Sequence, residues 1–310
     1  MKAVAVAVLL SGCGARTAPP AASPATTAAI AATSSSSALT VTPGPPTATP
    51  PPYQDLVHLF DYEQSAPLDI HEQGVVDYRD TPMHDISYAG ADGSRVTAYL
   101  VVPSGKGPFA AILFLHGGGG DRHDFQFAAA NLAKLGAVGL LVDGPVADTG
   151  TESDHAQIIR LIINLRRGID LLAARPDVDP QRIGYVGFSN GADLGGVLAG
   201  VDKRIKAYVL QSGDSRHSQQ VLAMGNKSFY TLMAPLDGIN YIGHAAPAAL
   251  FFQFGLKDYL VPDNRKTEFY QAASEPKAVK YYAADHGLNF SAYTDYVDWL
   301  TAQLSLKASP

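Results

Sequence analysis

Ser189 stands between two glycines in Gly187-Phe188-Ser189-Asn190-Gly191, and this spacing is the clearest chemical signal in the chain. A serine in a G-x-S-x-G pentapeptide suits the sharp turn from a buried strand into a helix, which holds its hydroxyl out at the strand's end. The flanks supply both partners: Arg182 to Val186 reads as a short strand and Ala192 to Gly200 as a helix of small residues. Glycines fit on either side because the strained turn brings strand and helix too close for side chains. The chemistry this predicts is attack by Ser189 on an acyl carbonyl. A serine hydroxyl is a poor nucleophile by itself, so attack needs a base, an acid to orient the base, and donors for the developing oxyanion.

All three have candidates. The apolar run Ala249 to Gly255 reads as a buried strand with Asp258 just past its end, and Lys277 to Ala283 reads as a last strand followed by His286. His286 is the expected base. Asp258 is the expected carboxylate that holds the imidazole tautomer and stabilises the imidazolium. Asp263 and Asp285 are rival acids; Asp263 reads as the start of a helix near Asn264, and Asp285 adjoins the histidine in sequence. The run Ala110 to Leu115 ends in His116-Gly117-Gly118-Gly119-Gly120, where backbone N–H groups can approach an alkoxide without side chains in the way. The N–H groups of Gly118 and Asn190 are the expected oxyanion donors. This loop lacks the Lys-Ser/Thr ending of a phosphate loop and the spacing of a dinucleotide fingerprint. Phe188 is expected at the wall of a substrate pocket. His116, Asp121, His123 and Asp124 could suggest a metal cluster, but they lack helical H-x-x-x-H spacing, so no metal and no cofactor are expected.

The elements that must position these groups alternate in type. Apolar runs at Gly136 to Val142 and Ile205 to Gln211 join the strands above, and helical patterns fall at about Asp124 to Leu135, Asp154 to Ala174 and Asn289 to Leu304. The second helix carries Ile158, Ile162, Leu165, Ile169 and Leu172 at spacings of four and three, and the last one Tyr293, Val297, Leu300 and Leu304. Alternation of this kind predicts an α/β fold, a mostly parallel sheet with helices on both faces, and active loops at the C-terminal ends of the strands. The long connection Ser212 to Pro247 fits either a cover over the pocket or helices packed beside the sheet. Within it His217 and His244 read as surface or satisfied histidines, and Asn226-Lys227-Ser228 as a glycosylation sequon by pattern only.

From about Leu59 onward the chain resembles an α/β-hydrolase of the dienelactone-hydrolase-like and prolyl-oligopeptidase-like branch. The residues that carry the likeness are Asp92-Gly93 with Val96 to Pro103, the His116 to Gly120 loop, the lead Asp177-Val178-Asp179-Pro180-Gln181-Arg182-Ile183 and the loops of Asp258 and His286. The order Ser189, Asp258, His286 is that of the family's triad. The resemblance implies hydrolysis of a small-molecule carboxylic ester through an acyl-enzyme. Dienelactone hydrolase itself uses a cysteine nucleophile, whereas the single cysteine here is Cys13, so its substrate is not implied. A peptidase or acyltransferase of the same fold is the alternative within the enzyme class, and a noncatalytic envelope binding protein on this scaffold is the alternative outside it.

Composition bounds the rest. The chain has 310 residues and a formal net charge of −6, with no cluster of Lys and Arg among aromatics, which argues against a nucleic-acid partner. One cysteine leaves no internal disulfide. Residues 1–12 are expected to be a lipoprotein signal: Lys2 precedes the apolar run Ala3 to Leu10, and Leu10-Ser11-Gly12-Cys13 resembles a bacterial lipobox, in which Cys13 takes the lipid; an ordinary secretory signal is the alternative. Residues 13–52, nearly all Ala, Ser, Thr and Pro, cannot bury enough apolar area to offset their ordering entropy and read as a flexible tether. Residues 53–310 are then the catalytic domain, exported to the bacterial envelope and touching the membrane only through its anchor. The sequence leaves the oligomeric state open.

Overall fold

The computed structural model describes residues 51–90, 92–144, 152–216, 218–219 and 227–308. The proposed signal, Cys13, all but the end of the tether, and His217 lie outside the described residues. The described ones fall within one unit, Ala48–Pro310.

Among the described residues nine strands form one sheet: β1 (His71–Tyr78), β2 (Thr81–Ala89), β3 (Arg95–Val101), β4 (Phe109–Leu115), β5 (Ala137–Val142), β6 (Val178–Phe188), β7 (Ile205–Gln211), β8 (Ala249–Gly255) and β9 (Lys277–Tyr282), in the order β1-β2-β3-β5-β4-β6-β7-β8-β9. Ladders from β5 through β4 to β9 are parallel, and those joining β1, β2, β3 and β5 are antiparallel. A strand covered on both faces must be apolar throughout, and every residue of β4, β5 and β8 is buried. Successive side chains then go to opposite cores. Tyr208 and Leu210 of β7 join one cluster, Ala207 and Val209 the other.

The longer helices are α2 (Gln126–Lys134), α3 (Glu152–Ala174), α4 (Asn190–Val201), α5 (Lys227–Met233), α6 (Asp263–Ala272) and α7 (Phe290–Leu304), after a single turn α1 (Tyr53–Leu56). The α3 stripe of Ile158, Ile162, Leu165, Ile169 and Leu172 faces the sheet as expected, in the same core as α4 and Phe269 of α6. On the other face lie α2 and α7. The buried stripe of α7 is Ala292, Tyr296, Leu300 and Leu304; Tyr293 and Val297, expected to lead it, sit at its partly buried margin. Asn289 caps this helix by accepting from the N–H of Ala292.

Two strands carry no sequence signal. Nearly all of β1 is exposed, and the β1–β2 hairpin turns through Arg79 and Asp80, both at positive φ (52° and 62°), where Asn-Gly would have marked the turn. The described part of the long connection packs beside the sheet. Tyr241 and Ile242 are fully buried in the α3/α4 core, and a Cβ on Gly200 of α4 would lie 2.6 Å from that of Tyr241.

Candidate active site

Chain order reverses at β4. The chain steps from β4 to β5 on one side, then from β5 to β6 on the other, leaving a crevice at the C-terminal ends of β4 and β6. The glycine loop follows β4 and Ser189 follows β6, so both open into that crevice.

Ser189 has φ 52° and ψ −121°, a conformation ordinary residues avoid. Its N–H donates to Gln211 of β7 (2.8 Å), and its carbonyl accepts from Ala192 and Asp193 as the first turn of α4. The glycines are sterically required. A Cβ on Gly187 would stand 2.3 Å from the carbonyl oxygen of Gly191, and one on Gly191 would stand 2.2 Å from that of Leu115. Asn190 opens α4, so its N–H is among the four that no intrahelical carbonyl can satisfy.

The three residues expected to act together are brought together. His286 Nε2 lies 2.9 Å from Ser189 Oγ, and His286 Nδ1 lies 2.9 Å from Asp258 Oδ2. A carboxylate only accepts, so Nδ1 carries the proton and Nε2 is left to accept from the serine hydroxyl. The Asp258 side chain is fully buried and that of His286 is 15% exposed. The N–H groups of Leu260 (2.9 Å) and Val261 (3.2 Å) donate to Asp258 Oδ1, leaving Oδ2 for the histidine. The rival acids are elsewhere: Asp263 is the first residue of α6 and pairs with Lys266, and Asp285 accepts from the N–H of Gly287 in its own turn.

The glycine loop is held by its histidine. The N–H of Gly144 donates to His116 Nε2 (3.1 Å), so the His116 proton sits on Nδ1 and donates to the carbonyl of Gly117 (2.8 Å). That carbonyl also accepts from the N–H of Gly120, closing a turn whose third residue, Gly119, has φ +74°. In a trans peptide C=O and N–H point opposite ways, so fixing the Gly117 oxygen turns the Gly118 N–H to the other side. Gly117 abuts the elbow: a Cβ there would stand 3.0 Å from the Phe188 ring and 3.1 Å from Ser189 Cβ. The Phe188 ring also lies 5.3 Å from that of His286, between loop and base.

Asp121 and His123 of this loop are engaged with each other. His123 meets Asp121 through Nδ1 (2.8 Å) and Tyr99 through Nε2 (3.0 Å). Among the described residues no three His, Cys, Asp or Glu stand together as metal ligands. Likewise, none of their helices is long and apolar enough to cross a membrane. His244 stacks on Tyr53, with ring centroids 3.6 Å apart. One supporting residue was not anticipated. Ser212, just past β7, donates its hydroxyl to the carbonyl of His286 (2.7 Å), and only its place at a strand's C-terminal end could have marked it.

Sheet order, the placement of helices and the strand–elbow–helix turn give the chain an α/β-hydrolase fold. Comparison with known proteins gives the same fold. Residues 165–269, a third of the chain, match the family model "BAAT / Acyl-CoA thioester hydrolase C terminal". The chain is 31% identical over 147 residues to acyl-coenzyme A thioesterase 3 of Mus musculus, a stretch covering 47% of this chain and 32% of that protein. It is 29% identical over 158 residues, 49% of this chain and 34% of the relative, to a Mycobacterium tuberculosis protein provisionally named a phosphoribosyl transferase. The match thus spans only about a third of either relative. The acetyl xylan esterase from Paenibacillus superposes with a TM-score of 0.68 at 20% identity, covering 81% of this chain and 93% of that one, a likeness of fold.

Proposed function

We propose that the protein is a serine hydrolase of small-molecule carboxylic esters. The hydrogen-bonded chain from Asp258 through His286 to Ser189 carries this reading. Ser189 Oγ attacks the carbonyl carbon as His286 Nε2 takes its proton, with Asp258 holding the imidazolium that forms. The N–H groups of Asn190 and Gly118 donate to the oxyanion, and Phe188 packs against the bound acyl or alcohol group. His286 then protonates the leaving alcohol. Water, activated by the same nitrogen, releases the acid and restores the serine. Every step uses groups of this chain and water alone.

Thioester cleavage is a second reading, favoured by the match over residues 165–269. The same machinery would serve it, with a thiol as leaving group. A panel of p-nitrophenyl esters of rising chain length, acyl-coenzyme A thioesters and peptide anilides tests both. Turnover of short esters is expected to lead; leading turnover of thioesters would transfer the assignment to the second reading, and turnover confined to anilides would overturn both.

The location is proposed from the sequence alone: an envelope lipoprotein anchored through Cys13. Support comes from Leu10-Ser11-Gly12-Cys13 and the Ala/Ser/Thr/Pro segment behind it. Two acyl chains give the stable membrane hold that one does not. Intact-mass analysis of the protein from a bacterial host should show diacylated Cys13 at the amino terminus, and cleavage elsewhere would refute the anchor.

A further inference from the structure

The lysine of α6 has been put where it is costly. Lys266 is 0% exposed, and an amine taken out of water is tolerated only where its hydrogen bonds are remade. Its Nζ faces three acceptors: the carbonyl of Gly255 (3.0 Å), the carbonyl of Asp258 (3.4 Å) and the carboxylate of Asp263 (2.9 Å). Three acceptors match the three N–H groups of an ammonium. Their order along the chain is informative. Gly255 is the last residue of β8, Asp258 carries the carboxylate that faces His286, and Asp263 begins α6. One side chain therefore grips the start, the middle and the end of the loop bearing the acid.

The rest of that loop has little to hold it. Leu256, Tyr259 and Leu260 are exposed at 63%, 83% and 49%, and Val261, at 3%, is the apolar side chain of the turn that is buried. Strand-like bonds from Leu256 to Tyr282 and from Lys257 to Ala284 secure its first half. Beyond Asp258, the anchors are the buried Val261 side chain, the N–H bonds to the Asp258 carboxylate and the Lys266 contacts.

We propose that Lys266 is a positioning residue for the reaction: its three bonds set the backbone of Asp258, which in turn holds His286 against Ser189. The proposal rests on the serine-hydrolase reading. A loop that drifts by about 1 Å can cost about 10²-fold in rate without unfolding the protein.

The test uses the full chain, a p-nitrophenyl ester and an organophosphonate that counts functional sites. Lys266→Met should lower kcat per titrated site by about 10- to 100-fold and leave KM nearly unchanged. Lys266→Gln, which keeps two of the N–H donors, should recover part of the loss and serves where the methionine variant does not fold. In an Asp258→Ala background either change should cost less than about threefold, because a residue acting through Asp258 has nothing left to position. Full kcat per titrated site in a Lys266 variant would overturn the proposal, as would an equal loss with and without Asp258. Absence of Ser189-dependent turnover in the unaltered protein would instead overturn the reading beneath it.

Discussion

Asp258 is the residue whose part is most separable from the others. Its carboxylate is wholly buried, with one oxygen taken by two backbone N–H groups and the other turned to His286. Asp258→Asn would present an amide that can donate to Nδ1 and so favour the wrong imidazole tautomer. We expect kcat to fall by about 10³-fold or more, with KM nearly unchanged, as read by initial rates on a p-nitrophenyl ester. A fall of less than about tenfold would move the role to another acid. At this scale the sequence was informative wherever chemistry is tied to local spacing. Ser189 is marked by its flanking glycines and the glycine loop by its composition. Asp258 is marked by its position after an apolar run and His286 by its position after the last expected strand. What stayed hidden depends on contacts across the fold. Ser212 reaches His286 over 74 positions, and His116 takes its tautomer from the N–H of Gly144, 28 positions on.

The strand-to-helix turn is an element with no room for adjustment. Gly191 passes so near β4 that an added methyl would meet the backbone oxygen of Leu115 at 2.2 Å, and a backbone atom in a buried strand cannot step aside. Gly191→Ala should destabilise the protein by about 2 kcal/mol or more, seen as a lowered thermal midpoint or loss of soluble protein. A wild-type midpoint would mean that the elbow is looser than its geometry indicates. Buried parallel strands announce themselves because both faces must be apolar, and β8 falls on its expected residues, Ala249–Gly255. Strand β6 runs four residues before Arg182 and two beyond Val186, since its end pairings with Phe109 and Gln211 depend on neighbours rather than on composition. The hairpin of β1 and β2 is the extreme case: an exposed strand has no apolar alternation to show, and Arg79-Asp80 is not a turn sequence.

Across the whole molecule, a buried ionic network ties the segment before β1 to α3 and the far end of α4. Arg167 donates to the carbonyls of Gln64, Ala66 and Pro67 and pairs with Asp170; Arg204 bridges Asp170 and Asp202; Arg166 joins Asp202 to the carbonyl of Phe60. Burial alone would raise the Asp202 carboxyl, but the guanidiniums of Arg204 and Arg166 outweigh it and hold the group below the usual carboxylate range. A carboxyl lowered by folding contributes stability above its unfolded value, about 3.9, and loses it as pH falls through the lower folded value. Thermal midpoints should therefore fall steeply below about pH 4, and Asp202→Asn, weaker at pH 7, should lose less over that window. Parallel curves for the two proteins would contradict this. The layout of this molecule, a mostly parallel sheet between helices with its active loops at the C-terminal ends of the strands, followed from alternation in the sequence; the network did not, because nothing local in the sequence pairs its arginines with its aspartates. Labelling of Ser189 tests the central claim most directly. An organophosphonate should add one adduct, mapped to Ser189 by peptide mass analysis, and Ser189→Ala should take up none while losing about 10⁴-fold or more in kcat with its thermal midpoint kept. Ester turnover undiminished in a clean Ser189→Ala preparation would contradict it.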